Sequence, residues 1–161
     1  MNEISQKIFT SFEAFFETLK IWKIKNYKLV FTNGCFDLIH RGHIDSLLKS
    51  SQFGDKLIVG LNTDLSVKLL KGEQRPLMDE NSRAVIIAAM QMVDAVILFN
   101  EETPYELIKL VQPDVLVKGN EYTVEEIAGH DVVLGRGGAV ERIELTEGFS
   151  TSALIGKIKN L

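Results

Sequence analysis

The stretch Lys28-Leu-Val-Phe-Thr-Asn-Gly-Cys-Phe-Asp-Leu-Ile-His-Arg-Gly-His43 decides the fold of this chain. Its first six residues form a short apolar run that stops at Gly34, as is typical of a strand buried on both faces of a sheet. Apolar residues at helical spacing resume within 42–53. A buried strand followed closely by a helix predicts the first unit of a parallel α/β sheet.

The rest of the chain repeats this alternation of strands and helices. Short apolar or alternating runs predict further strands at 56–61, 95–99, 114–118 and 139–145. Helix starts are predicted at Asp79, at the capping boxes 103–106 and 123–126, and at Ser150 or Thr151. The order of elements predicts a Rossmann-like, doubly wound parallel sheet of about five strands.

Apolar residues three or four apart predict a helix over residues 4–24. Its apolar stripe either packs on the chain's own domain, which we favour, or forms a dimer or partner surface. We therefore divide the chain into an N-terminal helical segment, 1–26, packed on the core or at a dimer interface, and a main domain, 27–161.

Composition excludes several classes of protein. The 161 residues suit one domain of ordinary size. The 18 basic and 22 acidic residues give a net charge of −4, which argues against a nucleic-acid partner. Cys35 is the single cysteine, so no disulfide forms within the chain and no multi-cysteine zinc site exists. Without a signal-peptide core or a long uncharged run, we expect a cytoplasmic protein with no membrane contact.

Polar clusters follow the predicted strands at 32–43, 62–64, 118–122 and 146–152. Ligands of open parallel sheets bind beyond the carboxyl ends of the strands, where loops meet helix N-termini. We therefore expect these four clusters to lie along one rim of the sheet.

The first cluster has the composition of a phosphate-binding site. His40 and His43 lie three apart at a predicted helix start, so both imidazoles point to the same side. Gly42, between them, allows another group to approach the backbone closely. Helix-start amides favour an anion, and the imidazoles add N–H donors. The phosphate-binding motifs GxxxxGK[ST] and GxGxxG are both absent from the sequence.

Other interpretations of this cluster remain open. The two histidines would also serve as ordinary helix caps. Cys35, Asp37, His40 and His43 have admissible metal-ligand types, but their spacing matches no structural zinc pattern. Cys35 is a conceivable nucleophile, although a small residue in a tight loop is the simpler account. His130 is predicted to have no role.

The last cluster complements the first. The hydroxyls and amides of Ser150, Thr151 and Ser152 can hold phosphate oxygens at a helix start. Ordinary capping needs only one hydroxyl, and three in a row after a glycine exceed that need. Positive charge near the site is expected from Lys71, Arg75, Arg83 and Lys118.

Together these residues resemble the cytidylyltransferase-like nucleotidyltransferases. The segments 34–43 and 147–155 are similar to the HxGH and (I/S)STxxI-type motifs that bracket a triphosphate in that family. The strings at 31–40, 70–76, 93–94, 114–119 and 125–129 look like the adenylyltransferase domain of ADP-heptose synthases. The resemblance implies the nucleotidyltransferase (HUP-type) fold across 28–158.

The resemblance also implies a reaction and its residues. ATP and D-glycero-β-D-manno-heptose 1-phosphate would give ADP-heptose and pyrophosphate, with Mg²⁺ as the triphosphate's counter-ion. His40, His43 and Lys71 are the implied catalytic residues. The implied nucleotide-binding residues are Thr32, Asn33, Gly34, Cys35, Phe36, Asp37, Gly42, Asn62, Arg83, Lys118, Gly119, Ser150, Thr151 and Ser152. Asp37 would organise its loop or meet a metal through water. Small-molecule substrates and a homodimer or higher homo-oligomer are expected.

Two departures bear on the substrate. Asn120-Glu-Tyr122 replaces the family's usual glycine or aspartate pattern, and Leu145 stands where glycerol-phosphate cytidylyltransferases carry arginine. The second departure favours the heptose acceptor. The rival activities are a cytidylyltransferase acting on glycerol 3-phosphate or ethanolamine phosphate, and an ATP-dependent cofactor adenylyltransferase. A non-catalytic nucleotide sensor is the alternative from another class.

Overall fold

Six strands form a single sheet in the computed structural model, which describes residues 3–160. In chain order they are β1 (Ile8–Phe9), β2 (Leu29–Gly34), β3 (Lys56–Asn62), β4 (Ala95–Phe99), β5 (Val115–Gly119) and β6 (Ala139–Ile143). Across the sheet the order is β1-β4-β3-β2-β5-β6, and every neighbouring pair runs parallel. The doubly wound α/β fold expected from the sequence is confirmed, with one strand more than the expected five.

The described residues also form seven α-helices and two short 3-10 turns. The helices are α1 (Phe12–Ile24), α2 (Arg41–Ser51), α3 (Asp64–Lys71), α4 (Glu80–Ala88), α5 (Tyr105–Val111), α6 (His130–Gly135) and α7 (Thr151–Lys159). The turns are Ser5–Lys7 and Val124–Glu126. Among residues 3–160, no helix has both the length and the apolar character needed to cross a bilayer.

Side-chain caps explain where several helices begin. The oxygens of Ser11, Thr63, Asp79 and Ser150 each accept a hydrogen bond from the backbone N–H three residues later. The helix starts predicted at Asp79 and Ser150 are thereby confirmed.

The two predicted capping boxes have different outcomes. At 123–126 the box forms, because the Thr123 amide donates to the Glu126 carboxylate at 2.8 Å and the Thr123 hydroxyl donates to it as well. At 103–106 the prediction is wrong. Pro104 occupies the position before α5, so Thr103 lies one residue too early to cap the helix.

The N-terminal segment differs from the predicted helix over 4–24. Helix α1 begins only at Phe12, after the Ser11 cap, and Ile8 and Phe9 instead form a strand that pairs with β4. The edge of β4 offers unpaired backbone groups, and two apolar residues can satisfy them while packing on the core. Helix α1 buries Phe15 and Leu19 in that core. Residues 1, 2 and 161, which the two proposed segments include, lie outside the described residues.

Helices cover both faces of the sheet. Adjacent residues of a strand point to opposite faces, so Val30 packs with one apolar cluster and Phe31 with the other. The Val30 cluster includes residues of α2 and α4, whereas the Phe31 cluster includes residues of α1, α5 and α6. Double coverage explains why the strands read as continuous apolar runs.

The topology creates a crevice between β2 and β5. The chain leaves β2 toward α2, which covers one face, and it leaves β5 toward α6, which covers the other. Because the two connections diverge, the carboxyl ends of these neighbouring strands stay open to a ligand.

We predict that Gly60→Ala destabilises the fold. A Cβ at position 60 would lie 2.7 Å from Cζ of the buried Phe31 ring, and overpacking of this kind lowers the free energy of unfolding by about 1–3 kcal/mol. Gly156→Ala in α7 is the control, because no atom lies within 4 Å of the added methyl group. Urea denaturation followed by circular dichroism measures both variants, and equal stabilities would contradict this description of strand packing.

Candidate functional site

A cavity of about 660 Å³ opens at the carboxyl ends of β2 and β5. It gathers all but one of the site residues expected from the sequence, namely Thr32, Asn33, Gly34, Cys35, Phe36, Asp37, His40, Gly42, His43, Asn62, Lys71, Lys118, Gly119, Ser150, Thr151 and Ser152. The exception is Arg83. The parallel topology therefore brings the four polar clusters to one rim, as expected.

The two histidines stack at the first turn of α2. Their ring centroids lie 3.8 Å apart, with 21° between the ring planes. The His40 backbone N–H donates to Nδ1 of His43 at 3.4 Å. Because Nδ1 accepts this bond, the proton of a neutral His43 resides on Nε2.

Burial keeps both imidazoles uncharged near neutral pH. It lowers the pKa of His43 to about 4, with a smaller contribution from repulsion by His40, and it also lowers the pKa of His40. Each neutral ring still donates one N–H. A bound polyanion would favour the protonated form of each histidine, so anion binding and histidine protonation are coupled.

Gly42 is required by close packing at this turn. A Cβ at position 42 would lie 3.1 Å from Nδ1 of His40 and 3.1 Å from Cβ of Phe149. The groups that approach the Gly42 backbone closely, as the sequence predicted, are therefore the side chains of His40 and Phe149. This approach brings the segment before α7 against the start of α2.

The N-terminus of α7 lies at the same cavity and is tied to the β2–α2 loop. The Ser150 hydroxyl accepts from the Ala153 N–H at 3.0 Å, so it acts as the helix cap. The Thr151 hydroxyl donates to the Leu38 carbonyl at 3.3 Å. Two helix N-termini, each with a positive dipole end, therefore line one cavity.

Asp37 organises the loop that follows α3. Its buried carboxylate accepts hydrogen bonds from Nε of Arg75 at 2.6 Å and from the amides of Leu77 and Met78. Burial opposes ionisation, but these hydrogen bonds outweigh it and hold the pKa of Asp37 below its usual range. The carboxylate is therefore occupied by protein donors, as the loop-organising interpretation requires.

Cys35 and the histidines do not form a recognisable metal site. Within residues 3–160, no group of three or more His, Cys, Asp or Glu side chains is arranged to hold a metal ion. Burial raises the pKa of the Cys35 thiol, although nearby cations including Lys71 oppose this effect. A thiol held in its protonated form is a poor nucleophile, which favours the simpler account of Cys35.

Lys118 places a half-buried positive charge in the crevice. Its Nζ donates to the Asn33 carbonyl at 3.3 Å, at the end of the neighbouring strand. Burial lowers the pKa of Lys118, and the carboxylate of Glu121 acts in the opposite direction. Lys71 is exposed at the end of α3 on the cavity wall, so its ammonium is free to move toward an anion.

The expectation that Arg83 contacts the ligand is corrected by the structure. Its side chain is fully buried, and NH1 donates to the carbonyls of Cys35 and Asn62 at 2.6 and 2.8 Å. Nε donates to the Met78 carbonyl, and NH2 pairs with Asp64 at 2.7 Å. Arg83 therefore joins the ends of β2 and β3 to the loop between α3 and α4, which the Asp37 carboxylate holds. The apolar run directly after it was the signal that this part of α4 is buried.

The cavity has polar lining residues that the predicted clusters do not include. Glu102 and Thr103 follow β4, so the rule that ligands bind at strand ends applies to them as well. Glu121 follows β5 and lies in the predicted cluster 118–122, although it is not among the predicted site residues.

Comparisons with known proteins show similarity over most of the chain. Residues 31–157 match the family model described as Cytidylyltransferase-like. "Bifunctional protein HldE" of Azorhizobium caulinodans is 52% identical over 138 residues, which cover 86% of this chain and 29% of that protein. HldE of Wolinella succinogenes is 47% identical over 155 residues, covering 96% and 32% respectively. The chain thus spans about a third or less of the length of these relatives.

Two solved structures have similar folds. The lipopolysaccharide core biosynthesis protein of Thermoplasma volcanium is 30% identical, with a TM-score of 0.61 over 74% of this chain and 97% of that one. Pantoate-beta-alanine ligase of Francisella tularensis, complexed with an ATP compound and beta-alanine, has a TM-score of 0.60. It covers 96% of this chain and 78% of its own, at 13% identity, and supports the fold alone.

We predict that Arg83→Met lowers the free energy of unfolding by about 3–5 kcal/mol, because it leaves Asp64 and three carbonyls without their buried donor. Arg136→Met, at an exposed position outside this cavity, is the control and should change stability by no more than about 0.5 kcal/mol. Chemical denaturation measures both. A stable Arg83→Met variant that had lost only ATP binding would restore the original phosphate-binding interpretation.

We also predict that His43 makes the fold sensitive to acid. Its pKa is about 4 in the folded protein and near 6.5 in the unfolded chain, so the unfolded state binds more protons between these values. Stability should therefore fall as the pH is lowered from 7 to 5. His43→Asn, which does not titrate there, should show a smaller fall in the urea midpoint. If the urea midpoints of the two proteins fell equally as the pH was lowered, His43 would not be a buried neutral imidazole.

Proposed function

Because this chain belongs to the cytidylyltransferase-like family, we propose that it joins the AMP moiety of ATP to D-glycero-β-D-manno-heptose 1-phosphate, giving ADP-heptose and pyrophosphate. The observation that carries the proposal is the meeting of two helix N-termini and two neutral histidines at one cavity. The motif strings similar to ADP-heptose synthases and the identity of about 50% to proteins named HldE support the choice of substrates.

The proposed chemistry is a displacement at the α-phosphorus of ATP. A phosphate oxygen of the sugar phosphate forms the new P–O bond, while the bond from the α-phosphorus to the bridging oxygen of the β-phosphate breaks and pyrophosphate leaves. The attacking phosphate is already ionised near neutral pH, so no general base is required. Catalysis then consists of positioning two anions and stabilising the charge that develops on the leaving group.

In this proposal the histidines act on the triphosphate. His40 and His43, as neutral N–H donors, stabilise the phosphate oxygens that gain charge as pyrophosphate leaves. Because the rings are neutral, no positive charge on the protein has to lose its hydration when the nucleotide binds. The dipole of helix α2 still attracts the anion. The N-terminus of α7, at 150–152, holds the β- and γ-phosphates.

The cationic side chains bring the two anions together. Lys71, exposed and unrestrained at the end of α3, neutralises the incoming sugar phosphate. Arg75 lines the same cavity, and its guanidinium is paired with the Asp37 carboxylate. Lys118 supplies a half-buried charge at the carboxyl end of the neighbouring strand β5.

Magnesium is proposed to enter with ATP. The described part of the chain offers no carboxylate cluster for the ion, and Asp37 is already occupied by protein donors. Mg²⁺ usually retains several waters and binds through substrate phosphates, so it needs no dedicated protein cage here. When bound it would neutralise part of the triphosphate's charge.

The proposal also extends to the setting of the reaction. ATP and a sugar phosphate are soluble substrates, in keeping with a cytoplasmic enzyme. Exposed apolar side chains on α1, including Ile21 and Ile24 at 52% and 79% exposure, support a homodimer or higher homo-oligomer.

Mass spectrometry of products tests the assignment directly. The pure protein is incubated with ATP or CTP and with heptose 1-phosphate, glycerol 3-phosphate or ethanolamine phosphate. We expect ADP-heptose and pyrophosphate only from ATP with the heptose. Preference for CTP and glycerol 3-phosphate would identify the rival cytidylyltransferase. Leu145 argues against that outcome, because it lies on the cavity wall and offers no charge to the acceptor's phosphate. Tight ATP binding without pyrophosphate from any acceptor would identify a nucleotide sensor.

The same assay measures the role of the histidines. His43→Ala should reduce kcat about 10²-fold, because one donor to the developing charge is lost. His130→Ala is the control, since His130 begins α6 and does not line the cavity. Circular dichroism verifies folding. A folded His43→Ala variant with a rate within about threefold of the parent would remove the assigned role.

A further inference from the structure

Helix α7 is held less by burial than the other helices are. Every other α-helix of the described residues buries at least one side chain, whereas α7 buries none. Its first residues nevertheless line the cavity, where a binding group has to be placed to within about 0.5 Å. Besides the bond from Thr151 to the Leu38 carbonyl, the contacts of the preceding segment 144–149 must supply this precision.

Three charged residues of α2 form a stripe opposite this segment. Arg41, Asp45 and Lys49 are spaced four apart, so they lie on one face of the helix. Nζ of Lys49 donates to the Glu144 carbonyl at 2.6 Å, and the Thr146 hydroxyl donates to Oδ2 of Asp45 at 2.8 Å. The helix that carries the histidines at its start therefore holds the segment at two points.

Asp45 lies at the centre of the stripe. Its Oδ2 also pairs with Nε of Arg41 at 3.3 Å. The Arg41 guanidinium lies 6.0 Å from the centroid of the Phe149 ring, and that ring stacks on His40 with 24° between the ring planes. Asp45 therefore contacts the segment directly at Thr146 and indirectly, through Arg41, at Phe149.

The position of Asp45 separates it from the residues that touch a ligand. It lies outside the cavity wall, whereas Thr146 is part of that wall. The Asp45 side chain is 28% exposed and its partner Arg41 is 71% exposed, and an ion pair so open to water contributes little to stability. The effect of this carboxylate is therefore expected in the placement of α7 rather than in substrate contact or in the stability of the fold.

We propose that Asp45 is a positioning residue, which holds the N-terminus of α7 opposite His40 and His43 by accepting a hydrogen bond from Thr146. The inference rests on the proposed function in one respect, namely that the anion between the two helix N-termini is the triphosphate of ATP. Loss of the bond releases the segment from α2, and a misplacement of about 1 Å can cost about 10²-fold in rate. The effect is confined to the phosphates that α7 holds and does not extend to the acceptor.

An ordinary surface ion pair is the competing account of Asp45. In that account the carboxylate only neutralises Arg41, in an i,i+4 pair of the kind that stabilises a helix slightly. Its removal would then leave nucleotide binding and turnover unchanged.

The variant Asp45→Ala tests the positioning role, with Glu106→Ala as the matched control. Glu106 also pairs with a cation of its own helix, Lys109 at 3.1 Å, but lies outside the cavity wall. In the pyrophosphate-release assay, Asp45→Ala should lower kcat/KM for ATP about tenfold or more. The KM of the sugar phosphate and both constants of Glu106→Ala should stay within about twofold of the parent. Circular dichroism and urea denaturation verify folding.

Two further variants identify the contact responsible. Asp45→Asn keeps an oxygen that accepts from Thr146 and loses only the charge that faces Arg41, so its activity should stay within about threefold of the parent. Thr146→Val removes the hydroxyl, and adding Asp45→Ala to it should cost little more than the larger single loss. Losses that multiply independently, or an Asp45→Asn variant as impaired as Asp45→Ala, would overturn the positioning role.

Nucleotide titrations separate this inference from the proposed function. ATP and AMP are titrated calorimetrically into the parent, Asp45→Ala and Glu106→Ala. AMP lacks the β- and γ-phosphates that α7 is proposed to hold. Asp45→Ala should therefore weaken ATP binding about tenfold and leave AMP binding within about twofold of the parent, a selectivity that general loss of structure would not produce.

Each outcome of the titrations bears on one of the two proposals. If the parent binds ATP but releases no pyrophosphate with any acceptor, the proposed function fails, yet a selective loss of ATP affinity in Asp45→Ala still supports the positioning role. If the parent turns over and Asp45→Ala keeps its ATP affinity, or loses ATP and AMP affinity equally, the positioning role alone is overturned. A parent that binds no ATP overturns both.

Discussion

The buried guanidinium of Arg83 is the interaction on which the geometry of the site depends. It reaches from α4 to the carbonyls at the ends of two neighbouring strands, through Cys35 and Asn62, and to Met78 in the loop that Asp37 holds. A fully buried cation is expensive unless it is paired and hydrogen-bonded, and here three bonds to carbonyls and the Asp64 pair meet that requirement. This one side chain therefore connects the ends of both strands to the loop.

From this anchor the cavity acquires two chemically different ends. Neutral histidines and two helix N-termini attract anions without placing a full positive charge against them. The other end combines the Lys118 ammonium, the Glu121 carboxylate and the Asn33 Oδ1, which has no hydrogen-bond partner among residues 3–160. In the proposed function these groups position two anions for the displacement at the α-phosphorus.

Local patterns predicted most of the framework correctly. The apolar runs of β2 to β5 and the caps at Asp79 and Ser150 are confirmed because burial on both faces and capping both leave signals within a few residues. In two places where the predictions are wrong, a non-local partner decided the outcome. Ile8 and Phe9 left the predicted helix because β4 had a free edge, and Arg83 left the predicted site because carbonyls from two distant strands surround it.

By itself the sequence determined the α/β class, the crevice side of the sheet and the residue types that meet there, since these follow from strand order and from the chemistry of short motifs. Only the tertiary structure decided which polar groups remain available. Asp37 and Arg83 are occupied by protein partners, and Glu121 turns into the cavity over Gly119. Hydrogen-bond donors and acceptors are distributed among neighbours in space, and spacing along the chain does not record that distribution.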